Sequence, residues 1–178
     1  MKSIAFFFCC ALIACFSFTN ADAQMVHESS QFVGVGVGFN FSQSTVPIGA
    51  NYEYMVKREF GIGGIFRYWS QTTFHYQDGG TYVWNTELIG AQGNYHFKVP
   101  QRELDPFMGI ILGYAFNQGG PHNTIYTISY TPQELPAFIF AIQAGAQYFL
   151  TDNILVSGKL VFGSGSYDAL EAGLEFAL

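Results

Sequence analysis

The stretch Ala169 to Leu178, ALEAGLEFAL, is a strict two-residue repeat. Leu170, Ala172, Leu174, Phe176 and Leu178 form one row, and Ala169, Glu171, Gly173, Glu175 and Ala177 form the other. Successive side chains of a β-strand point to opposite faces, so as a strand this segment has one apolar face and one small or acidic face. Hydrocarbon favours the first row and penalises the second. That is the pattern of a strand whose outer side meets lipid and whose inner side meets a polar interior. It predicts the closing strand of a transmembrane β-barrel.

The same alternation recurs upstream. From Phe32 to Ser42, Val33, Val35, Val37, Phe39 and Phe41 alternate with Gly34, Gly36, Gly38, Asn40 and Ser42. A row of glycines suits the inside of a narrow barrel, where there is little room. Further strands are predicted from Ile48 to Val56, from Phe60 to about Trp69, from about Tyr82 to Phe97, from Pro106 to Asn117, from Phe138 to Tyr148 and from Ile154 to Phe162. Tight turns are expected at Lys57-Arg58-Glu59, Lys98 to Asp105 and Thr151-Asp152-Asn153. A short connection is expected at Gln43 to Pro47, longer polar ones at Ser70 to Thr81 and Gln118 to about Pro136, and a glycine-serine loop at Gly163 to Asp168. Eight strands with alternating short and long connections predict an all-β, eight-stranded antiparallel up-and-down transmembrane barrel, in which an even count lets the first and last strands pair. Glu87 is the discord: its parity faces lipid, so it either stands above the hydrocarbon or follows a bulge.

Composition agrees. Aromatic residues make up 18% and charged residues only 11%, with 20 glycines, an unusual mixture for a soluble domain and an ordinary one for such a barrel. Residues 1–23 have the plan of a secretory signal, with Lys2, an apolar run from Ile4 to Phe18 and the small-x-small site Ala21-Asp22-Ala23, leaving a barrel domain over residues 24–178. A competing cut would leave Cys15, after Leu12-Ile13-Ala14, as a lipidated terminus. Cys9, Cys10 and Cys15 all lie in that segment, so the expected mature chain has no disulfide and no cysteine metal site. Its basic residues are Lys57, Arg58, Arg67, Lys98, Arg102 and Lys159, too few and too scattered for a nucleic-acid surface.

Parity assigns Glu53, Arg67, Lys159, Glu171 and Glu175 to the lumen. Folding the last two strands about Gly163 to Asp168 brings Lys159 opposite Glu171 as a cross-strand ion pair. These charges are expected to neutralise one another and fill the lumen of so narrow a barrel; a gate or narrow ion path is the functional alternative. His96 points inward beside Gln92 as a hydrogen-bonding lumen residue. Ser70, His75 and Asp78 in the second connection, with His122 in the third, are residue types of nucleophilic catalysis, but no spacing holds a nucleophile and base within reach. No catalytic residue, cofactor or metal site is expected, and Gly34, Gly36 and Gly38 form no phosphate loop because no helix follows them. Tyr126, Ile128 and Tyr130 either meet a partner or extend a hairpin. A soluble, secreted lipid-binding barrel would carry its apolar row inward instead.

Asn94-Tyr95-His96-Phe97, Pro106-Phe107-Met108-Gly109 followed by Leu112-Gly113-Tyr114, and Gln143-Ala144-Gly145-Ala146-Gln147-Tyr148-Phe149 resemble the eight-stranded OmpA-like/opacity-type outer-membrane β-barrel family, especially its Bacteroidetes members. The resemblance covers essentially the whole expected mature chain. It implies a plugged or very narrow lumen, outer-membrane lipid as the surroundings and insertion by the barrel assembly machinery; the partner of the loops stays open. The sequence departs from the family in ending on Leu178, where an aromatic is usual, and in carrying Lys159 where similar proteins often have an acid. No peptidoglycan-binding domain is expected after the barrel.

Overall fold

The structure, a computed structural model, describes residues 25–75, 80–123, 138–165 and 167–178. The expected signal segment, Cys15, Asp78, Tyr126, Ile128 and Tyr130 lie outside them. Eight strands follow in order: β1 (Gln31–Asn40), β2 (Ile48–Lys57), β3 (Phe60–His75), β4 (Gly80–His96), β5 (Leu104–Asn123), β6 (Phe138–Phe149), β7 (Ile154–Gly163) and β8 (Ala169–Ala177). Each pairs antiparallel with its neighbours in sequence, and β8 returns to β1 to close the barrel. No helix occurs among the described residues.

Side-chain direction follows the two-residue repeat. On β8, Leu170 is 50% exposed and Glu171 only 6%; on β1, Val35 and Val37 face out while Gly34 and Phe32 are buried. The outer surface carries Ile48, Ile62, Phe66, Ile89, Ile110, Leu112, Phe140, Ile142 and Leu174 as a broad apolar belt. This is the transmembrane arrangement and the reverse of what a soluble lipid-binding barrel needs. Aromatic side chains cluster near both ends of the belt, with Phe60, Tyr95 and Phe97 in edge-to-face contact on the turn side and Tyr114 against Phe116 toward the other rim; such girdles mark the bilayer interfaces.

Local chemistry sets the turns. Thr151 Oγ1 accepts from the backbone N–H groups of Asn153 and Ile154, which closes the β6–β7 hairpin. Asn40 Oδ1 accepts from the N–H groups of Ser42 and Gln43, starting the β1–β2 connection. The β2–β3 turn needs only Arg58 and Glu59, with Lys57 paired to Phe60 and a bulge between Met55 and Lys57.

Three strands are longer than the apolar repeat indicates. Ser70 to His75, Gly80 to Thr81 and Gln118 to Asn123 continue β3, β4 and β5 instead of forming loop. The β3–β4 ladder runs on to His75↔Gly80 and the β4–β5 ladder to Thr81↔Asn123. Outside a bilayer a strand needs its backbone partners but no apolar row, so hydrophobic alternation stops where the ladder does not. One wall of the barrel, β3 to β5, therefore rises above the rest.

The β4 register is unbroken on both sides from Tyr82 to Tyr95, which removes the bulge as the explanation of Glu87. Glu87 does face outward, opposite Tyr68 and Phe116. At ordinary strand rise and tilt it lies roughly 20 Å along the axis from Tyr95, level with the upper aromatic side chains.

The interior is layered. Ile65, Trp69, Leu88, Ile111, Ala115, Ile139, Ala141, Val161, Tyr167 and Ala169 pack at the loop side, where the rings of Trp69 and Tyr167 stack with centroids 5.6 Å apart. Val26, Phe32, Met55, Phe149 and Leu155 pack at the turn side. Val26 reaches that layer because the segment before β1 folds back into the mouth: Ser29 N–H donates to Met55 O and Met55 N–H to Ser30 O, with Ser29 at φ 70°. Between the two apolar layers lies a polar one.

Candidate functional site

The polar layer is built by long side chains lying over glycines of neighbouring strands. Glu53 lies across Gly61, Arg67 across Gly49, Lys159 across Gly145, Asn94 across Gly109, Glu171 across Gly38 and Glu175 across Gly34; a methyl group added at any of these glycines would meet the named side chain. Inward glycine and inward charge are thus two halves of one device. By contrast, a methyl at the outward-facing Gly93 or Gly158 meets nothing within 4 Å.

Toward the loop side, Arg67, Lys159 and Glu171 come together. Arg67 reaches from β3 across the lumen to β8 and binds Glu171 at both carboxylate oxygens, Nε to Oε1 at 3.0 Å and Nη2 to Oε2 at 2.8 Å. Its Nη1 donates to the carbonyls of Ala50 and Phe66, each at 2.8 Å. The register places Lys159 directly opposite Glu171, with Nζ 3.5 Å from Oε2, yet the closer partner of Lys159 is Gln143 Oε1 at 3.0 Å. Tyr167 donates its hydroxyl proton to Glu171 Oε1. Glu171 is therefore principally the partner of Arg67, and Lys159 is its second cation. Hairpin spacing relates Lys159 to Glu171 because they lie on adjacent strands; a guanidinium spanning the lumen leaves no mark in local spacing.

Toward the turn side, Glu53 and Glu175 form a second group. Glu53 Oε1 accepts from Asn94 Nδ2 at 2.9 Å and lies 3.1 Å from His96 Nε2. The other ring nitrogen of His96, Nδ1, is 2.7 Å from Asp105 Oδ2. Glu175 Oε2 accepts from Gln147 Nε2 at 3.2 Å. Gln143 joins the two groups, since its Nε2 donates to Asn94 Oδ1 at 2.6 Å while its Oε1 holds Lys159. Apart from the half-buried Lys159 these groups are buried, with Glu53, His96, Asp105 and Gln147 at 2% exposure or less. A sequence of hydrogen bonds, with one ionic contact between Glu171 and Lys159, thus runs from Tyr167 through Glu171, Lys159, Gln143, Asn94, Glu53 and His96 to Asp105. Burial in a low-dielectric interior strengthens such a network when its members are satisfied.

Two members escaped the sequence reading. Asp105, at the end of a polar turn in the sequence, shares the inward parity of Phe107 and Gly109, and Tyr167, in the glycine-serine connection, turns its side chain into the interior. Of the rim residues, Ser70 lies exposed on the outer face, His75 pairs with Gly80 through its backbone, and His122 lies in β5. Among the described residues no group of three or more His, Cys, Asp or Glu converges as a metal site; His96 separates its two carboxylates rather than joining them at one point.

No protein-family profile matches this chain. No curated protein matches it either. Solved structures do. The outer membrane protein OprG from Pseudomonas aeruginosa superposes with a TM-score of 0.57 at 11% identity, covering 87% of this chain and 99% of that one. Neisserial surface protein A superposes with a TM-score of 0.55 at 12% identity, covering 83% of this chain and 94% of that one. A transmembrane β-barrel designed de novo superposes with a TM-score of 0.53 at 18% identity, covering 85% of this chain and 97% of that one. At such identities the likeness is one of fold, and a designed barrel among the neighbours underlines that fold and activity are separate questions. The chain has the fold of an eight-stranded transmembrane β-barrel, and its natural structural neighbours include outer-membrane proteins.

Proposed function

We propose that this chain is a small integral protein of the bacterial outer membrane, a member of the OmpA-like/opacity-type barrels, with a sealed lumen and a structural or adhesive role exercised at its surface, without catalysis. The observation that carries this reading is the filled interior. Every strand contributes inward side chains to the three layers, and the central layer holds its charges in mutual contact between Trp69–Tyr167 above and Val26–Phe32 below. An eight-stranded barrel has just enough interior to be filled in this way. What remains for interaction is the outside, where β3 to β5 rise past the aromatic side chains and present Ser70, Thr72, Asn117 and Gln118 to solvent. The tight turns then face the periplasm and the raised wall faces the exterior, the usual disposition of such barrels.

Two measurements on the full chain test this. Cell fractionation with gel mobility compared before and after heating should place a compact, heat-modifiable species in the outer membrane. Planar-bilayer recordings of the refolded protein should show no discrete conductance. Reproducible channel steps would replace the sealed barrel with its main rival, a narrow passive channel for small or hydrophobic solutes.

A further inference from the structure

The contacts of His96 require more protons than a neutral ring can supply. Its Nδ1 lies 2.7 Å from Asp105 Oδ2 and its Nε2 lies 3.1 Å from Glu53 Oε1. Neutral imidazole has one N–H and one lone pair, and an ionised carboxylate only accepts. With both acids ionised and the ring neutral, one of the two contacts would set a lone pair against an anionic oxygen. Two hydrogen bonds along Asp105···His96···Glu53 need two protons, one beyond the neutral ring's own. Asn94 Nδ2 already donates to the same Glu53 oxygen at 2.9 Å, so Glu53 is held as an acceptor.

The three residues come from β5, β4 and β2, and β3 separates β4 from β2, so the chain ties non-adjacent parts of the wall together. Its surroundings are few. From β8 the neighbouring charge is Glu175, held by Gln147 of β6. Arg67 of β3, Lys159 of β7 and Glu171 of β8 lie one layer further toward the loops and are paired with one another. β1 offers only Phe32 and Gly34 at this level. The phenyl ring of Phe107 covers the imidazole with centroids 5.7 Å apart, the backbone N–H of His96 donates to Glu59 O at 2.9 Å, and the apolar layer around Met55 and Val26 closes the mouth beneath.

We propose that Glu53, His96 and Asp105 form a proton-operated latch on the turn-side mouth of the barrel. With the extra proton in place, the imidazolium fastens β2 to β4 and β5. Removing it to bulk base leaves two carboxylates and a neutral ring, so one contact turns repulsive, Glu53 and Glu175 face each other with less compensation, and water enters the turn-side half of the lumen. The open form binds one proton fewer than the closed form, so opening is favoured as pH rises above the proton affinity of the open form, by about tenfold per pH unit, and levels off once the closed form has lost the proton as well. The latch presupposes that the lumen is sealed at rest, but its test does not depend on conductance.

The test uses the full chain folded in lipid, with ¹⁵N-labelled histidine. At pH 7 the His96 ring should show two protonated nitrogens, giving way in one step at higher pH to a singly protonated ring. Amide exchange, corrected for its intrinsic pH dependence, should accelerate as pH rises toward that step, by up to about tenfold per pH unit, and level off beyond it, at residues 52–56 and 104–108 and not at residues 161–163 or 169–171. In Asp105→Asn, whose amide can donate to the imidazole lone pair, the second ring proton and the alkaline acceleration should both vanish while the barrel still folds. His96→Gln should likewise lose the acceleration; should it fail to fold, the wild-type spectrum and Asp105→Asn suffice. A singly protonated ring at pH 7, or an acceleration unchanged in Asp105→Asn, overturns the latch. Channel conductance at every pH with the ring behaviour intact would instead count against the sealed lumen alone.

Discussion

Consider a methyl group placed at Gly61. A Cβ there would collide with Glu53 Oε1, and would stand 2.7 Å from Glu53 Cδ and 2.9 Å from Cγ, with no backbone atom among its three nearest neighbours. Glu53 must then leave a position in which it accepts from Asn94 and contacts His96. Two hydrogen bonds, at least one with a charged group, contribute about 2–4 kcal/mol together, and a buried carboxylate displaced from them gains no solvent in return. Gly64, three residues along the same strand, faces outward, and a methyl there meets only Gly90 O at 3.7 Å. Gly64→Ala should be neutral or stabilise by up to about 1 kcal/mol, because alanine loses less freedom on folding than glycine. Urea unfolding of the protein refolded in lipid vesicles, followed by tryptophan fluorescence and gel mobility, measures both. A double-mutant cycle isolates the cause: in a Glu53→Ala background, Gly61→Ala should lose most of its cost, leaving a coupling energy of about 1–3 kcal/mol. Equal costs for Gly61→Ala in the two backgrounds, or a cost no larger than that of Gly64→Ala, would refute the idea that inward glycines exist to seat the lumen charges.

Four other outcomes follow from the same geometry. Arg67→Ala strips Glu171 of its two-pronged partner and should cost about 3–5 kcal/mol of unfolding free energy, as removal of one member of a buried pair does; Lys159→Ala, with one hydrogen bond and a longer ionic contact, should cost about 1 kcal/mol, and the opposite order would reverse their roles. Val26→Ala thins the turn-side apolar layer and should lower stability by about 1–2 kcal/mol, with proteolysis of the segment before β1 becoming measurably faster. Glu87→Leu should alter stability by no more than about 1 kcal/mol, because a carboxylate near the bilayer interface is only mildly penalised; a gain well beyond that in vesicle-based unfolding would mean Glu87 sits deep in hydrocarbon. At the turn, hydrogen bonding to Lys98 holds the Glu59 carboxyl below its usual pKa. Its contribution is therefore complete above the unfolded-state pKa and lost as pH falls through the folded one, and Lys98→Ala should remove that acid dependence with less than about 1 kcal/mol of total effect, the scale of an exposed pair.

What could be read from the residues, and what could not, divides along physical lines. Wherever one face of a strand meets lipid and the other does not, the repeat Leu170–Phe176 or Val33–Phe39 declares both the strand and its orientation, because a shift of one residue would reverse every side chain. Where β3, β4 and β5 leave the bilayer, that contrast disappears, and Ser70 to His75 look like loop although their backbone ladder continues. Inward positions followed from parity, including all of Glu53, Arg67, Lys159, Glu171 and Glu175. Their partners did not, beyond adjacent strands: the reach of Arg67 to Glu171 spans the lumen, and His96 meets Glu53 over the top of β3. Asp105 was hidden by its neighbours in a polar turn, since a single acid beside a proline does not signal which side of a strand it will occupy.

The seam between β1 and β8 bears on how the barrel finds its register. Gly34 pairs with Glu175 and Gly38 with Glu171 across it, so closing the barrel must bring two notches to two teeth. Sliding the last strand by two positions would keep every leucine pointing at lipid and preserve the backbone ladder, yet Glu171 would be carried away from the guanidinium that waits on β3. Oily patterning alone tolerates that error; the internal charges do not, and they make the correctly aligned closure the one that holds.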